Sequence, residues 1–276
     1  GAQSNSMTGD VNITMTGGVV GNISGSCSDP GTVHTGNVNI TMTGGKVTEI
    51  WCAEYDVNGN VNITITGGTV DRFIYLIYRS DVTISGDCWV TITGGSPGTL
   101  NRYGGTGDKI QGSTHLYSTV LPYGYDRDNF TNFIYRDGSN WKFRGDTATA
   151  LNGNTLTIAS GQTATVDSGK TLSGKIVNNG TINVKNGGTL SGTITNKGTI
   201  WGYGNISGFT NSGSGKAIKK VTASGKNVTF NDSAWQNNKT NYDDAYNATL
   251  TAASGYALPA SVTVKVGGTT LAESAY

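Results

Sequence analysis

The stretch that decides the fold is Val38-Asn39-Ile40-Thr41-Met42-Thr43-Gly44-Gly45, in which apolar residues alternate with Asn and Thr ahead of a Gly-Gly pair. Alternation with a period of two is typical of a strand that has one buried face. The Gly-Gly pair permits a turn with positive φ, which other residues disfavour. The stretch therefore predicts a short strand followed by a sharp turn.

This stretch is one copy of a repeat. Three further copies begin at Val11, Val61 and Cys88, and the last has Cys88 and Trp89 where the others have Val and Asn. Measured from the first Thr of one copy to the first Thr of the next, the period is about 23–27 residues, which is the range of stacked structural repeats. No unit of such a stack can bury its apolar face alone.

Two all-β architectures satisfy this repeat, because each Gly-Gly pair is followed by a second apolar run. The pair could close a two-residue hairpin, which would give an antiparallel β-sandwich. Alternatively, it turns a corner in a parallel β-helix, a β-solenoid of the pectin-lyase type. Like-on-like stacking would place Asn12, Asn39 and Asn62 in one hydrogen-bonded ladder. The close likeness of the copies therefore favours the parallel β-helix.

Changes in the repeat pattern and in composition divide the chain into four parts. We expect a β-helix with coils of about 23–27 residues over 1–98, and an aromatic-rich loop or connector over 99–146. Over 147–215, the segment Asn178-Asn179-Gly180-Thr181-Ile182 recurs 18 residues later as Asn196-Lys197-Gly198-Thr199-Ile200. This interval fits one turn of a three-sided solenoid. Two inward ladders are expected there: Leu156, Leu172 and Leu190, and then Ile158, Ile176 and Ile194.

The last part, 216–276, has the pattern of a small β module. It stops at Tyr276 immediately after the strand-turn signal Val264-Lys265-Val266-Gly267-Gly268, which predicts a truncated module with more chain in the native protein. The start at Gly1, ahead of Ala-Gln-Ser-Asn-Ser, is consistent with a removed leader.

Composition excludes several classes of protein. The 276 residues include 42 Gly and only 4 Pro, which is too little Pro for a collagen-like helix. A net charge of +1 offers no electrostatic footprint for nucleic acid. No run of 18 apolar residues exists, so we expect no membrane insertion. Cys27, Cys52 and Cys88 are too few for a disulfide framework or a zinc knuckle, and Cys88 is expected to be a buried free thiol.

The carboxylates form one cluster that could carry chemistry. Polysaccharide lyases and hydrolases built on β-helices need clustered carboxylates, but solvated charges at the corners of coils explain the same residues. His34 and His115 have no partner at metal-ligand spacing. We therefore predict no catalytic residue, no metal and no cofactor. The members of the cluster are Glu49, Glu54, Asp56, Asp71, Arg72 and Arg79.

A binding surface is the stronger expectation. Five aromatic residues would lie near one another if the coils stack, and aromatic faces pack against the apolar faces of sugar rings. The same rings could instead point inward or be covered by the aromatic stretch at 103–143. A third possibility is that the Thr-x-Thr pairs order water, as in ice-binding proteins. The candidate ligand-binding residues are Trp51, Tyr55, Tyr75, Tyr78 and Trp89.

The Asn-Ile-Thr-Met-Thr-Gly-Gly copies, the Asn-Asn-Gly-Thr-Ile segments and Gly255-Tyr256-Ala257-Leu258-Pro259 together resemble modular, adhesin-like secreted or wall-attached surface proteins of Gram-positive gut bacteria. The resemblance implies a non-enzymatic extracellular β-solenoid that serves as a stalk or adhesive element and binds a glycan or a host or matrix surface. We expect a monomer. The alternative is a polysaccharide lyase or hydrolase on the same scaffold.

Overall fold

The computed structural model of the chain describes residues 6–103, 109–121, 123–124, 126–202, 204–219, 226–231, 249–258, 265–266 and 269–270. The fold is all-β, and most of the sheets are parallel. The chain divides into two compact units, Gly1–Asn154 and Thr155–Tyr276.

The first unit contains fourteen described strands, a short 3-10 turn and one short helix. In chain order they are β1 (Met7–Thr8), β2 (Val11–Met15), β3 (Val19–Ser24), β4 (Val33–Thr35), β5 (Val38–Met42), β6 (Lys46–Ala53), β7 (Asp56–Asn58), β8 (Val61–Ile65), β9 (Thr69–Ile77), β10 (Cys88–Ile92), β11 (Thr99–Tyr103), β12 (Thr114–Ser118), η1 (Asp126–Asn129), β13 (Asn132–Asp137), β14 (Asn140–Arg144) and α1 (Thr147–Leu151).

Equivalent strands of successive repeats pair in parallel and form three sheets in this unit. The Asn-Thr sheet has the order β2-β5-β8-β10-β12-β13-β14, the aromatic sheet has the order β3-β6-β9-β11, and the short sheet has the order β1-β4-β7. The pairing of the Asn-Thr sheet is in register from copy to copy, so that Ile13, Ile40 and Ile63 lie opposite one another. The expected parallel stacking of identical positions is confirmed here.

The hairpin alternative is wrong for these repeats. The two strands that flank each Gly-Gly pair belong to different sheets, as β5 and β6 do in the second copy. The second glycine turns the chain out of the first sheet with a positive φ, which is 83° at Gly45. The pair is therefore a corner between sheets and not a hairpin turn.

The core of the first unit lies on the inward sides of these sheets. Val38, Ile40 and Met42 are at most 1% exposed, while Asn39 and Thr41 between them are half-buried. Cys88 takes the inward position of Val38 and is a buried thiol outside any disulfide, as predicted. All three cysteines lie in the described part of the chain and are thiols. Burial raises the pKa of the Cys52 thiol, with a smaller contribution from Cys88 in the same direction.

A ladder of polar side chains fixes the corner that precedes each copy of the Asn-Thr strand. Oδ1 of Asp10 accepts a hydrogen bond from the backbone N–H of Asn37 in the next copy, at 2.8 Å. Asn37, Asn60 and Asp87 repeat this contact with the corner of the copy that follows each, ending at Ser113. Each copy thus supplies an acceptor for a corner N–H that strand pairing alone would leave unpaired.

The aromatic-rich segment 99–146, for which the sequence predicts a loop or connector, carries β11 to β14. Strand β12 continues the Asn-Thr sheet in register, with Leu116 opposite Val90 and Thr114 opposite Cys88. Strand β13 follows it in parallel, and β14 then turns back antiparallel to β13. The copies therefore continue into this segment, although no Gly-Gly pair follows β12 within it.

The second unit contains fifteen described strands. They are β15 (Thr155–Ile158), β16 (Thr163–Val166), β17 (Thr171–Leu172), β18 (Lys175–Asn178), β19 (Thr181–Val184), β20 (Thr189–Leu190), β21 (Thr193–Asn196), β22 (Thr199–Gly202), β23 (Asn205–Ile206), β24 (Phe209–Asn211), β25 (Lys216–Lys219), β26 (Val228–Asn231), β27 (Thr249–Ala252), β28 (Lys265–Val266) and β29 (Thr269–Thr270).

Three parallel sheets again form from equivalent positions, in the orders β15-β18-β21-β24, β16-β19-β22-β25 and β17-β20-β23. The two inward ladders expected here are partly wrong. Leu172 pairs with Leu190 as predicted, but Leu156 pairs with Ile176 and Ile158 with Asn178. The reason is the length of the turns, since the turn from Leu156 to Ile176 is longer than the turn from Ile176 to Ile194. Leu156 therefore lies in the sheet of Ile176 and not in the sheet of Leu172.

The part of the chain assigned to a small β module, 216–276, starts with a strand of the preceding sheet. Strand β25 pairs in parallel with β22, with Lys216 opposite Thr199. Beyond it, β26–β27 and β28–β29 are antiparallel pairs. The remainder of the expected 261–268 strand and the end at Tyr276 lie outside the described residues, as does the start at Gly1.

Candidate functional site

The aromatic sheet carries Trp51 on β6 and Tyr75 on β9, two of the candidate ligand-binding residues. Along β6 and β9 the register places Trp51 opposite Tyr75 on the outer face, while Ile50 and Ile74 pair on the inner face. Strand β9 has one more residue than β6 between Val70 and the next paired position, which is the pattern of a β-bulge. Two consecutive residues, Asp71 and Arg72, are exposed at this irregularity.

Four rings form what we call the aromatic surface: Trp51, Phe73, Tyr75 and Tyr78. The Trp51 and Tyr78 rings are stacked, with centroids 4.2 Å apart and planes inclined by 18°. Tyr75 contacts Tyr78 edge-on at 5.6 Å and Phe73 at 5.2 Å. All four side chains are half-buried, so each retains some accessible area. The sequence did not single out Phe73, although its alternation with Tyr75 places both on one face.

A nearly buried carboxylate lies beside these rings. Glu49 is 8% exposed, and its Oε2 accepts a hydrogen bond of 2.8 Å from the indole Nε1 of Trp51. Its Oε1 is 3.0 Å from Nη1 of Arg72, whose guanidinium also lies over the Phe73 ring at 5.2 Å. Both carboxylate oxygens are thus engaged, and they fix the orientation of the indole. Burial, with Glu49 as the second cause, raises the pKa of the Tyr75 phenol.

Tyr55, another candidate, has a different role. It is 7% exposed, its hydroxyl accepts a hydrogen bond of 2.7 Å from Nη1 of Arg79, and the same guanidinium lies 5.0 Å from its ring. Its backbone N–H donates to Oγ of Ser26. Tyr55 is therefore a packed residue, and its ring is not part of the aromatic surface.

The predicted carboxylate cluster is dispersed over separate contacts. Asp71 forms an ion pair with Lys46 at 3.0 Å, and Oδ1 of Asp56 accepts from the backbone N–H of Thr83. Glu54 accepts a hydrogen bond of 3.3 Å from Oγ of Ser24. Each of these carboxylates, like Glu49, has a protein partner.

Trp89, the fifth aromatic candidate, belongs to the Asn-Thr sheet and not to the aromatic sheet. It lies between Asn62 and His115 in the ladder of outward side chains, and its ring stacks on His115 with centroids 4.9 Å apart. Below it, the amides of Asn62, Asn39 and Asn12 are hydrogen bonded in series, as the sequence predicts. Trp89 therefore ends an amide ladder and does not join Trp51.

Of the two neighbouring threonine columns, only the first is interrupted at the same place. The second, made of Thr16, Thr43, Thr66 and Thr93, stays exposed in all four copies. In the first column, Thr14 is exposed and Thr41 and Thr64 are half-buried, but Thr91 is only 6% exposed and is followed in the sheet by Tyr117. A regular water-ordering array therefore does not extend past the third copy in this column.

Sequence reasoning missed a fifth copy and with it a polar network. Gly112-Ser113-Thr114 precedes His115 in this copy as Gly86-Asp87-Cys88 precedes Trp89 in the copy before it. The fifth copy thus places His115 at the Asn position of the repeat. His115 is 3% exposed, and burial lowers the pKa of its imidazole. The Gly112-Ser113 corner, which matches Gly86-Asp87 of the copy before it, was the available signal.

Within the described residues, no group of three or more His, Cys, Asp or Glu side chains is placed to hold a metal ion. His34 is fully buried in the short sheet, and neither of its ring nitrogens makes a hydrogen bond within the described part of the chain. No described helix is long and apolar enough to cross a membrane. Comparison with known family models, curated proteins and solved structures gave no significant match.

Proposed function

We propose that this chain is a parallel β-helix from an extracellular, secreted or wall-attached surface protein, in which it serves as a non-enzymatic stalk or adhesive element that binds glycans. The parallel in-register pairing of equivalent positions, in three sheets per unit, supports the β-helix. The composition rich in Gly, Asn and Thr and the resemblance to adhesin-like proteins support the location.

The observation that carries the glycan-binding proposal is the aromatic surface. Half-exposed aromatic rings side by side on a flat sheet are suited to the apolar faces of sugar rings. Polar groups lie at its border, because the register places Ser24 and Asn101 on either side of the Trp51–Tyr75 pair. Hydroxyl and amide groups in such positions can bond the equatorial hydroxyls of a sugar.

Charge favours a neutral ligand. The exposed Arg72 is already paired with Glu49, and Lys46 is paired with Asp71. An acidic sugar would have to compete with these carboxylates for each cation. We therefore propose neutral oligosaccharides as the ligand class.

The engagement of the carboxylates supports a non-enzymatic role. A glycoside hydrolase needs one carboxyl group free to donate a proton and a second free to act on the sugar or on water. Both oxygens of Glu49 are occupied, and Glu54, Asp56 and Asp71 each contact a protein group. The contacts of these side chains resemble those of structural charges.

The binding proposal is tested by titrating the chain with neutral cello-, xylo-, manno- and galacto-oligosaccharides, using calorimetry and NMR. We expect Trp51→Ala to weaken binding by about fivefold or more, since an aromatic contact contributes about 1 kcal/mol or more. The matched control is Trp89→Phe, which changes another half-exposed indole of the same unit and should leave affinity unchanged. Binding that depends on Trp89 and not on Trp51, or no binding to any sugar in the set, would contradict the proposal.

The proposed extracellular location and the non-enzymatic role are tested separately from binding. Antibodies raised against this chain should label intact cells of the organism that produces it, and protease added outside the cells should remove that label. Reducing-end and unsaturated-product assays over the same sugars should stay flat. A reproducible activity that Glu54→Gln abolishes would overturn the non-enzymatic role.

A further inference from the structure

We propose that His115 is a pH sensor that keeps the N-terminal cap of α1 in place only while its imidazole is neutral. The device lies at strands β12 and β13 of the Asn-Thr sheet, apart from the aromatic surface. It connects the side chain of His115 in β12, Asn132 in β13 and Asp146 at the cap of α1.

The network is a chain of hydrogen bonds. Nδ2 of Asn132 lies 3.1 Å from Nδ1 of His115, and Oδ1 of Asn132 accepts a bond of 2.8 Å from the backbone N–H of Asp146. Asp146 then caps the helix, because its Oδ1 accepts from the backbone N–H groups of Ala148 and Thr149. The position of the capping residue thus depends on one asparagine.

The direction of these bonds fixes the tautomer of the histidine. A backbone N–H can only donate, so the atom of Asn132 that faces Asp146 has to be the carbonyl oxygen. The amide NH2 of Asn132 therefore faces His115, whose Nδ1 has to accept. The imidazole is then neutral with its proton on Nε2. That nitrogen makes no hydrogen bond within the described residues and is 4.0 Å from Oδ2 of Asp87.

Protonation of the ring conflicts with this arrangement. In the imidazolium, Nδ1 carries a proton and faces the NH2 group of Asn132, donor against donor. Flipping the Asn132 amide, so that its oxygen and nitrogen exchange places, would relieve that contact but would turn its NH2 toward the N–H of Asp146. Either way one bond of the network is lost, and the cap of α1 loses its anchor.

The surroundings of the ring shift the pKa of His115 in both directions. One face of the ring is stacked on Trp89, and the whole side chain is 3% exposed, which disfavours the charged form. The charged groups that face it are Asp87 ahead of β10 and Asp146 ahead of α1, and both favour the charged form, while β13 contributes only the neutral Asn132. Burial is the largest of these effects and lowers the pKa of His115 below its ordinary value.

The sign of the pH dependence follows. Because the closed network prefers neutral His115, the open state binds the proton more tightly. The closed state is therefore fully populated above about pH 6.5, the ordinary pKa of a histidine, and the opening equilibrium grows as the pH falls below it, by up to about tenfold per pH unit. Helix α1 is the element released, because a helix of only five residues is not stable without its cap. Its release would expose Thr147, Ala150 and Leu151, which it buries against the unit.

The test is amide hydrogen exchange, read as protection factors at pH 7.5 and pH 5. Protection of Ala148, Thr149 and Ala150 should fall about tenfold or more at pH 5, while the amide of Thr43, which is bonded to Met15 in the Asn-Thr sheet, should not change. Nitrogen NMR of the ring at pH 7.5 should show the proton on Nε2. A proton on Nδ1, or protection of α1 that does not depend on pH, would overturn the proposal.

Two variants separate a sensor from a merely structural residue. Asn132→Asp supplies a carboxylate that can accept from Asp146 and from a protonated His115 at once, so it should raise the pKa of His115 and keep α1 protected at pH 5. His115→Gln removes the titrating group and should make the protection of α1 independent of pH. An Asn132→Asp variant that loses protection at pH 5 as the unmodified chain does would contradict the mechanism, whether or not His115→Gln folds.

Discussion

The indole of Trp51 lies flat against the phenol ring of Tyr78, with ring centroids 4.2 Å apart. One face of Trp51 is therefore already covered by the protein, and its Nε1 is bound to Glu49. The remaining accessible part of the indole is held rigidly. A rigid aromatic side chain loses little conformational entropy on binding, which suits the glycan-binding role proposed for this surface.

The first prediction concerns this stacked pair. Tyr78→Ala should remove the support for one face of Trp51, reducing stability by about 1 kcal/mol and making Trp51 more accessible to iodide. Tryptophan fluorescence quenching measures the second effect. The control is Tyr256→Ala, since Tyr256 is exposed at 59% and should change neither quantity. Unchanged quenching in Tyr78→Ala would show that the stack does not shield the indole in solution.

The second prediction separates the two faces of the repeat strand. Ile40 is 1% exposed and pairs with Ile13 and Ile63, so Ile40→Asn would bury an unpaired amide and should reduce stability by about 3 kcal/mol. The neighbouring Thr41 is half-buried on the outer face, and Thr41→Ser should change stability by less than about 0.5 kcal/mol. Urea titration measures both. Equal effects would mean that inner and outer faces are assigned wrongly.

The third prediction uses two glycines at the same position of successive copies. A Cβ on Gly44 would lie 2.4 Å from the backbone oxygen of Thr16 in the preceding copy, whereas a Cβ on Gly17 has no atom within 4 Å. Neither glycine has a positive φ, so the comparison isolates the contact between copies. Gly44→Ala should cost about 1–3 kcal/mol. Gly17→Ala should be neutral or stabilising by up to about 1 kcal/mol.

Thermal unfolding with calorimetry compares the two glycine variants directly. If both variants lose the same stability, the copies do not stack as described. This pair therefore tests the parallel packing on which the proposed β-helix depends, without using any ligand.

How much of the fold could be predicted from the sequence depends on how similar the copies of the repeat are to one another. Asn12, Asn39 and Asn62 were predicted to share a ladder because identical residues at a fixed position can bond one another. The fifth copy was missed because Leu116 is flanked by His115 and Tyr117 instead of Asn and Thr, and no Gly-Gly pair follows it. The backbone pairing survives these changes since it does not depend on side-chain identity.

The candidate site was predictable only in part, for a geometric reason. Trp51 follows a Gly-Gly corner while Trp89 precedes one, so a change of sheet separates them even though both point outward. Alternation within a strand gives the direction of a side chain, but it does not give the sheet to which the strand belongs. In the second unit, coil length decided the register, and this is why Leu156 lies opposite Ile176.

The last prediction concerns a buried amide ladder in the second unit. Asn196 is fully buried, its Nδ2 donates to Oδ1 of Asn211 at 2.7 Å and to the carbonyl oxygen of Lys216 at 3.1 Å, and its Oδ1 accepts from Asn178. Asn196→Asp would replace the donor with an acceptor that faces two other oxygens. We expect a loss of stability on the order of 3 kcal/mol at pH 7.5.

The loss of stability in Asn196→Asp should depend on pH. Burial and the facing oxygens would raise the pKa of the new carboxyl in the folded state, so the native state would hold a proton that the unfolded state releases. The destabilisation is therefore complete above the raised pKa and diminishes as the pH falls toward about 4, the ordinary pKa of an aspartate. Asn183→Asp, on a half-buried outward position of the same unit, is the matched control and should show little of this effect. Urea titrations of both variants at pH 7.5 and pH 4.5 decide it, and a loss in Asn196→Asp that does not depend on pH would show that the amide is not enclosed by the ladder.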